Sequence, residues 1–207
     1  VENVSWISTR GDVLCGFFYI LTVIAYLRMI DMEASIDRRK WFLLSILFFI
    51  FSLLSRAWGI TMPLVLLILD FYPLSRLVPG SLRRTSLTQL LIEKIPFALL
   101  AFGGGVAAFL AKKGSMLKVP DHGVIDRLMQ AAYGLCFYLY KTIVPVRLSP
   151  FYLLDKSYNP MEVKYIACAL LVLCITLVLI IMRRRWPWAL TAWICYAIIV
   201  SPLLGFV

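Results

Sequence analysis

Apolar residues in this chain run in stretches close to the length of a bilayer crossing, divided by short polar and mostly basic segments. A crossing helix needs about 20 mainly apolar residues, with roughly 17–25 tolerated. Residues 12–30 meet that length and stop at the polar segment DMEASIDRRK. The next run, 41–74, is far too long for one crossing at about 1.5 Å per residue, and it is interrupted at Ser55-Arg56. It reads as two short helices, 41–54 and 57–72, joined by a tight turn. Pro63 is expected to kink the second and Pro73 to end it. Beyond a basic loop at 76–89 comes a span at 90–111 containing Gly103, Gly104 and Gly105, where helix packing is the first explanation.

Residues 112–160 form a more polar region. Within it, 124–144 predicts a helix that mixes Asp126, Arg127, Gln130 and Lys141 with Tyr133, Phe137, Tyr138 and Tyr140, ended by Pro145 and Pro150. That mixture suits a helix lying in the membrane interface. Spans at 163–182 and 187–207 follow, the first stopped by three arginines and the second opened by Trp186-Pro187-Trp188, an aromatic anchor. The pattern predicts an all-α polytopic membrane protein, one transmembrane domain over 1–207, with six spans and an external interfacial helix.

Composition agrees. The chain is 62% apolar and 15% charged, with a mean hydropathy of +0.88. A soluble domain is nearer one-half apolar and about one-quarter charged. The net charge of +10 raises nucleic-acid binding, but the basic residues sit in clusters at 38–40, 83–84, 112–113 and 183–185, between apolar runs. Loops flanking spans look like that, and nucleic acid is excluded as a partner. The five cysteines lie inside apolar runs without ligand spacing, and His122 is the single histidine. They read as small buried apolar residues, and no metal is expected. The chain opens without an initiator Met, in VENVSWIS, and stops in apolar SPLLGFV, so an internal piece of a longer protein is expected.

The positive-inside rule places 31–40, 76–89 and 183–185 in the cytoplasm. The N-terminal segment, the Ser55-Arg56 turn and the whole of 112–160 then lie outside. On that side Arg56 is the leading candidate residue. Its guanidinium can bind a lipid phosphate bidentately or simply snorkel to headgroups, and the residues alone leave both open. Glu2, Arg10 and Asp12 precede the first span. A carboxylate there suits acid–base work or a sugar hydroxyl, while Asp12 also favours a helix N-terminus electrostatically. Tyr138, Lys141, Arg147, Phe151 and Tyr152 suit an entry path for a lipid-linked ligand, or an ordinary aromatic belt. Asp70, with Arg76 close by, and Glu93-Lys94 read as structural helix-end charges. There is no Gly-rich phosphate loop, Ser-His-Asp set or metal cluster.

Several blocks carry a family likeness. VENVSWISTRGDVLCGFFYILTVIAYLR resembles the segment after a His-Pro pair in bacterial membrane proteins with tetratricopeptide repeats. These are related to the protein O-mannosyltransferases and to animal transmembrane tetratricopeptide-repeat mannosyltransferases. LLSRAWGITMPLVLLILDFYPLSRL, LIEKIPFALLA and FYLYKTIVPVRLSPFY continue the resemblance in order, and SPLLGFV looks like the approach to a later external loop. The family often has Lys at the position of Arg56.

The resemblance implies a glycosyltransferase C fold and an enzyme of the external face of a bacterial plasma membrane. Its donor would be a sugar on a polyprenyl phosphate and its acceptor a hydroxyl of a protein or glycan. No cofactor is implied within the chain. Arg56 and Lys141 would bind the donor phosphate. Glu2 matches a family glutamate on the external side, where Arg10, Asp12 and Tyr152 stand as candidates by position alone. The catalytic carboxylate would lie before Val1 and the repeats after Val207, so residues 1–207 alone are expected to show little activity. Two other classes compete: a transporter or flippase of lipid-linked saccharides, for which an inverted repeat would be the sign, and a non-catalytic membrane scaffold.

Overall fold

The computed structural model describes residues 10–32, 35–72, 74, 87–112, 124–144 and 163–203, and every element among them is helical. The contacts divide the chain into two compact units, Val1–Met116 and Leu117–Val207, where the apolar pattern reads as one continuous domain.

The first unit opens with α1 (Arg10–Asp31), which has Asp12 in its first turn and Arg28 in its last, the arrangement that complements a helix dipole. Helix α2 (Ser35–Ser55) starts earlier than the hydropathy pattern suggests. Residues 35–40 belong to the helix rather than to a loop, and three of their four charges are paired on its surface. Lys40 Nζ lies 3.2 Å from Asp37, and Arg38 reaches Glu93 at 2.5 Å. The helix stops at Ser55, and Arg56 takes an extended backbone conformation (φ −160°, ψ 147°). A 3-10 turn (Ala57–Thr61) then feeds α3 (Met62–Phe71). Pro63 therefore does not kink a helix. It occupies the first turn, where its missing N–H would have had no intrahelical partner. Helix α4 (Leu87–Lys112) completes the unit.

Helices α1 and α2 form an antiparallel hairpin stitched by small polar side chains. Ser45 Oγ donates to the Thr22 carbonyl at 3.2 Å, and Ser52 Oγ donates to the Cys15 carbonyl at 3.1 Å. Thr22, Ser45 and Ser52 are fully buried. In lipid, apolar surface gains little by leaving the solvent, so close packing and interhelical hydrogen bonds hold helices together. The large side chains behave accordingly. Tyr26, Met29, Phe49, Met62, Leu66, Phe97 and Ala101 make a narrow core, while Phe17, Ile20, Leu99 and Phe102 point outward.

The glycines of α4 extend the same logic. A Cβ on Gly105 would lie 2.6 Å from Ile60 Cδ1, and one on Gly104 would lie 3.3 Å from Leu53 Cδ2, whereas Gly103 faces open space. Gly104 lets α4 approach the end of α2, and Gly105 the 3-10 turn that follows Arg56.

The second unit contains α5 (Val124–Ile143), α6 (Val163–Ile181), a 3-10 turn (Met182–Arg184), α7 (Pro187–Val200) and a last 3-10 turn (Ser201–Leu203). Tyr133 of α5 packs edge-on against Tyr165 of α6 at 5.0 Å, and the Cys136 thiol donates to the Cys168 carbonyl at 3.7 Å. Both contacts advance together along the two helices, so α5 and α6 run in the same sense where they touch. Tyr196 of α7 donates to the Leu135 carbonyl at 2.8 Å, and Trp193 Nε1 to Thr176 at 3.1 Å.

Three helices among the described residues are long and apolar enough to cross a membrane: Arg10–Asp31, Thr88–Ala111 and Val163–Arg184. They make this a membrane protein. The other three expected crossings fall short by that measure. Helix α2 keeps only residues 41–55 free of charge, about 22 Å of rise, and the segments Ala57–Phe71 and Pro187–Val200 are shorter apolar helices.

Candidate functional site: two charged clusters of the first unit

The break at Arg56 is what builds the first cluster. An extended residue between two helical segments swings its side chain off the α2 face and toward the start of α1. Arg56 Nε lies 2.7 Å from Asp12 Oδ1, and a second nitrogen, Nη2, donates to Oδ2 at 3.4 Å. The guanidinium carbon sits 5.8 Å from the Trp58 ring centre, within reach of a cation–π contact. Gly11 allows the approach, because a Cβ there would meet the Ser55 carbonyl oxygen at 3.1 Å. The Arg56 side chain is 43% exposed and that of Asp12 only 20%. The carboxylate is thus the more enclosed partner, and the cation faces outward. Arg10 lies one residue before Gly11 and is exposed.

A second cluster lies on the same helix, fourteen residues further along and so about 21 Å away. Tyr26 is fully buried and donates to Asp70 Oδ2 at 2.9 Å and Oδ1 at 3.1 Å. Lys94 Nζ lies 2.6 Å from Asp70 Oδ2, with side-chain exposures of 7% and 3%. Lys94 also donates to the Tyr26 hydroxyl and lies 3.7 Å from the centre of its ring. One group each from α1, α3 and α4 therefore meets inside the unit. A carboxylate, an ammonium and a phenol satisfy one another where water does not reach.

Asp70, read from the sequence as a structural charge, pairs with Lys94, and Arg76 lies outside the described residues. Sequence reasoning missed Tyr26 and the pairing of Lys94 with Asp70, having read Lys94 as a structural helix-end charge. The available signal was an ionisable residue five positions into a mainly apolar stretch, LLIEKIPF, which is costly in a membrane and marks a specific partner.

Of the remaining candidates, Lys141 sits in the last turn of α5 with Nζ 5.8 Å from the Phe137 ring centre. It belongs to the second unit, whereas Arg56 and Asp12 belong to the first. Glu2, Tyr152, Arg147 and Phe151 lie outside the described residues. No family model matches the chain, and comparison with curated proteins and with solved structures finds no match.

Proposed function

We propose that the chain is the membrane-embedded part of a glycosyltransferase of the C fold that takes its sugar from a polyprenyl phosphate. Transfer goes to a hydroxyl of a protein or glycan at the external face of a bacterial plasma membrane. The single observation that carries the reading is the Arg56 cluster. A half-exposed guanidinium is held at a helix break, oriented by Asp12 and flanked by Trp58. A forked cation beside an aromatic ring suits the charged phosphate and the apolar chain of a lipid-linked donor. The ordered blocks of family likeness support the same assignment.

In this reading α2, the Ala57–Phe71 segment and α7 also cross, which gives six spans. Short spans of this kind are accommodated by local bilayer thinning at modest cost. Helix α5 lies in the interface, a position that its mixture of Asp126, Arg127, Gln130 and Lys141 with aromatic residues supports.

The test is sugar transfer by the full-length protein, comparing wild type with Arg56→Ala. Loss of a charge-assisted phosphate contact weakens donor binding about tenfold or more. Unchanged donor affinity and turnover would overturn the role of Arg56.

One observation favours a second reading, transport of a lipid-linked saccharide. A buried Tyr26–Asp70–Lys94 cluster is the kind of intramembrane charge that lines translocation paths. Movement of intact lipid-linked sugar across reconstituted vesicles without sugar transfer would decide for it.

A further inference from the structure

The α6–α7 turn concentrates charge and aromatic surface in six residues. Arg183, Arg184 and Arg185 are all exposed, and so are Trp186 and Trp188. The turn is tight. The backbone N–H groups of Arg185 and Trp186 both donate to the Met182 carbonyl at 2.9 Å, and Pro187 opens α7. With three residues per turn, successive side chains of a 3-10 segment point about 120° apart. Arg183 and Arg184 on this segment, and Arg185 capping it in helical conformation, therefore spread around the end of α6 and do not converge on one point. No Asp or Glu occurs anywhere in residues 163–207, so these helices bring no carboxylate of their own to the arginines. The turn also sits at the end of Val163–Arg184, a helix long and apolar enough to cross a membrane.

We infer that this turn is a collar for anionic phospholipid headgroups. Each arginine takes a separate phosphate of the surrounding leaflet, while Trp186 and Trp188 seat in the interface between headgroups and chains. Splayed guanidinium groups match a surface of many phosphates and fit poorly to one small polyanion or free phosphate. Exposed indoles beside them fit a bilayer boundary rather than an aqueous acidic partner. The collar is separate from the Arg56 cluster and does not depend on the proposed sugar transfer.

The experiment places the full chain in phosphatidylcholine vesicles with Trp6, Trp41, Trp58 and Trp193 replaced by Phe, so that fluorescence reports only from the collar. Quenching by brominated phosphatidylglycerol is compared with quenching by brominated phosphatidylcholine. The three arginines are expected to favour the anionic lipid, and Arg→Gln changes at 183, 184 and 185 are expected to weaken that preference about fivefold each and on the order of a hundredfold together. Arg→Lys changes retain most of it, and rising salt erodes it.

Equal quenching by the two lipids, or a preference unaltered in the triple Gln variant, would overturn the collar. Full reversal by inorganic phosphate or by a soluble acidic protein at matched charge would do the same, since either would show that no bilayer is needed. Should the four-Trp background fail to fold, photo-crosslinking of the wild-type chain by a headgroup-labelled phosphatidylglycerol gives the answer. Label mapped to residues 182–188 supports the collar, and label absent from them refutes it.

Discussion

The buried Asp70–Lys94 pair makes the sharpest stability prediction. The two charged atoms are 2.6 Å apart, with side chains 3% and 7% exposed, and Tyr26 supplies a further donor to the carboxylate. Removing one partner of such a pair strands a charge in a low-dielectric interior and costs about 3–5 kcal/mol, whereas replacing both partners together is often close to neutral. Lys94→Met is expected to be the worse single change. It takes the Lys94 ammonium away from Asp70, and a short carboxylate cannot reach the interface. In Asp70→Asn the freed ammonium has a four-carbon stem and can extend toward headgroups, so its cost falls toward the lower end of that range. The double variant Asp70→Asn, Lys94→Met should lose less than the sum of the singles, with a coupling of about 2–3 kcal/mol. Equilibrium unfolding of the detergent-solubilised chain, followed by circular dichroism, measures all three. Single changes each costing under about 1 kcal/mol, or a double variant equal to the sum, would refute the claim that these groups form a closed pair out of reach of water.

Two packing predictions follow from the same unit. Gly105→Leu should destabilise it by about 1–3 kcal/mol through overpacking, because even a Cβ there meets Ile60. Gly103→Leu faces open space and should be tolerated in the same unfolding assay, and similar losses at both positions would contradict the packing. Ser52→Ala removes a buried interhelical hydrogen bond to the Cys15 carbonyl and should cost roughly 0.6 kcal/mol, the usual worth of such bonds in lipid. A loss above about 2 kcal/mol would mean that the hairpin depends on that bond more than on close packing.

Much of the fold is legible in the sequence because lipid imposes a simple rule. A backbone segment with no water to bond must bond itself, so apolar stretches of crossing length become helices. That rule places α1, α4 and α6 within a few residues of their observed limits. It also marks the break at Ser55-Arg56, where a charge interrupts an apolar run too long for one crossing. The start of α2 is less legible. Hydropathy stops at the basic cluster, yet a helix continues through charged residues that can pair on its surface, as Arg38 does with Glu93.

The sequence by itself thus determines that this is a helical membrane protein, roughly where its apolar helices lie, and which charges are unusual enough to need partners. Only the tertiary structure decides the partners. Asp70 and Lys94 are separated by 24 positions and Arg56 and Asp12 by 44, and nothing local singles out Lys94 as a cation for Asp70. The same holds for Thr22, Ser45 and Ser52, which look like neutral polar interruptions in apolar runs. They become the seam of the hairpin once a facing helix sets their register. Hydropathy is a property of one segment and its solvent. Pairing depends on which faces of two segments meet, and that is set by close packing over the whole unit.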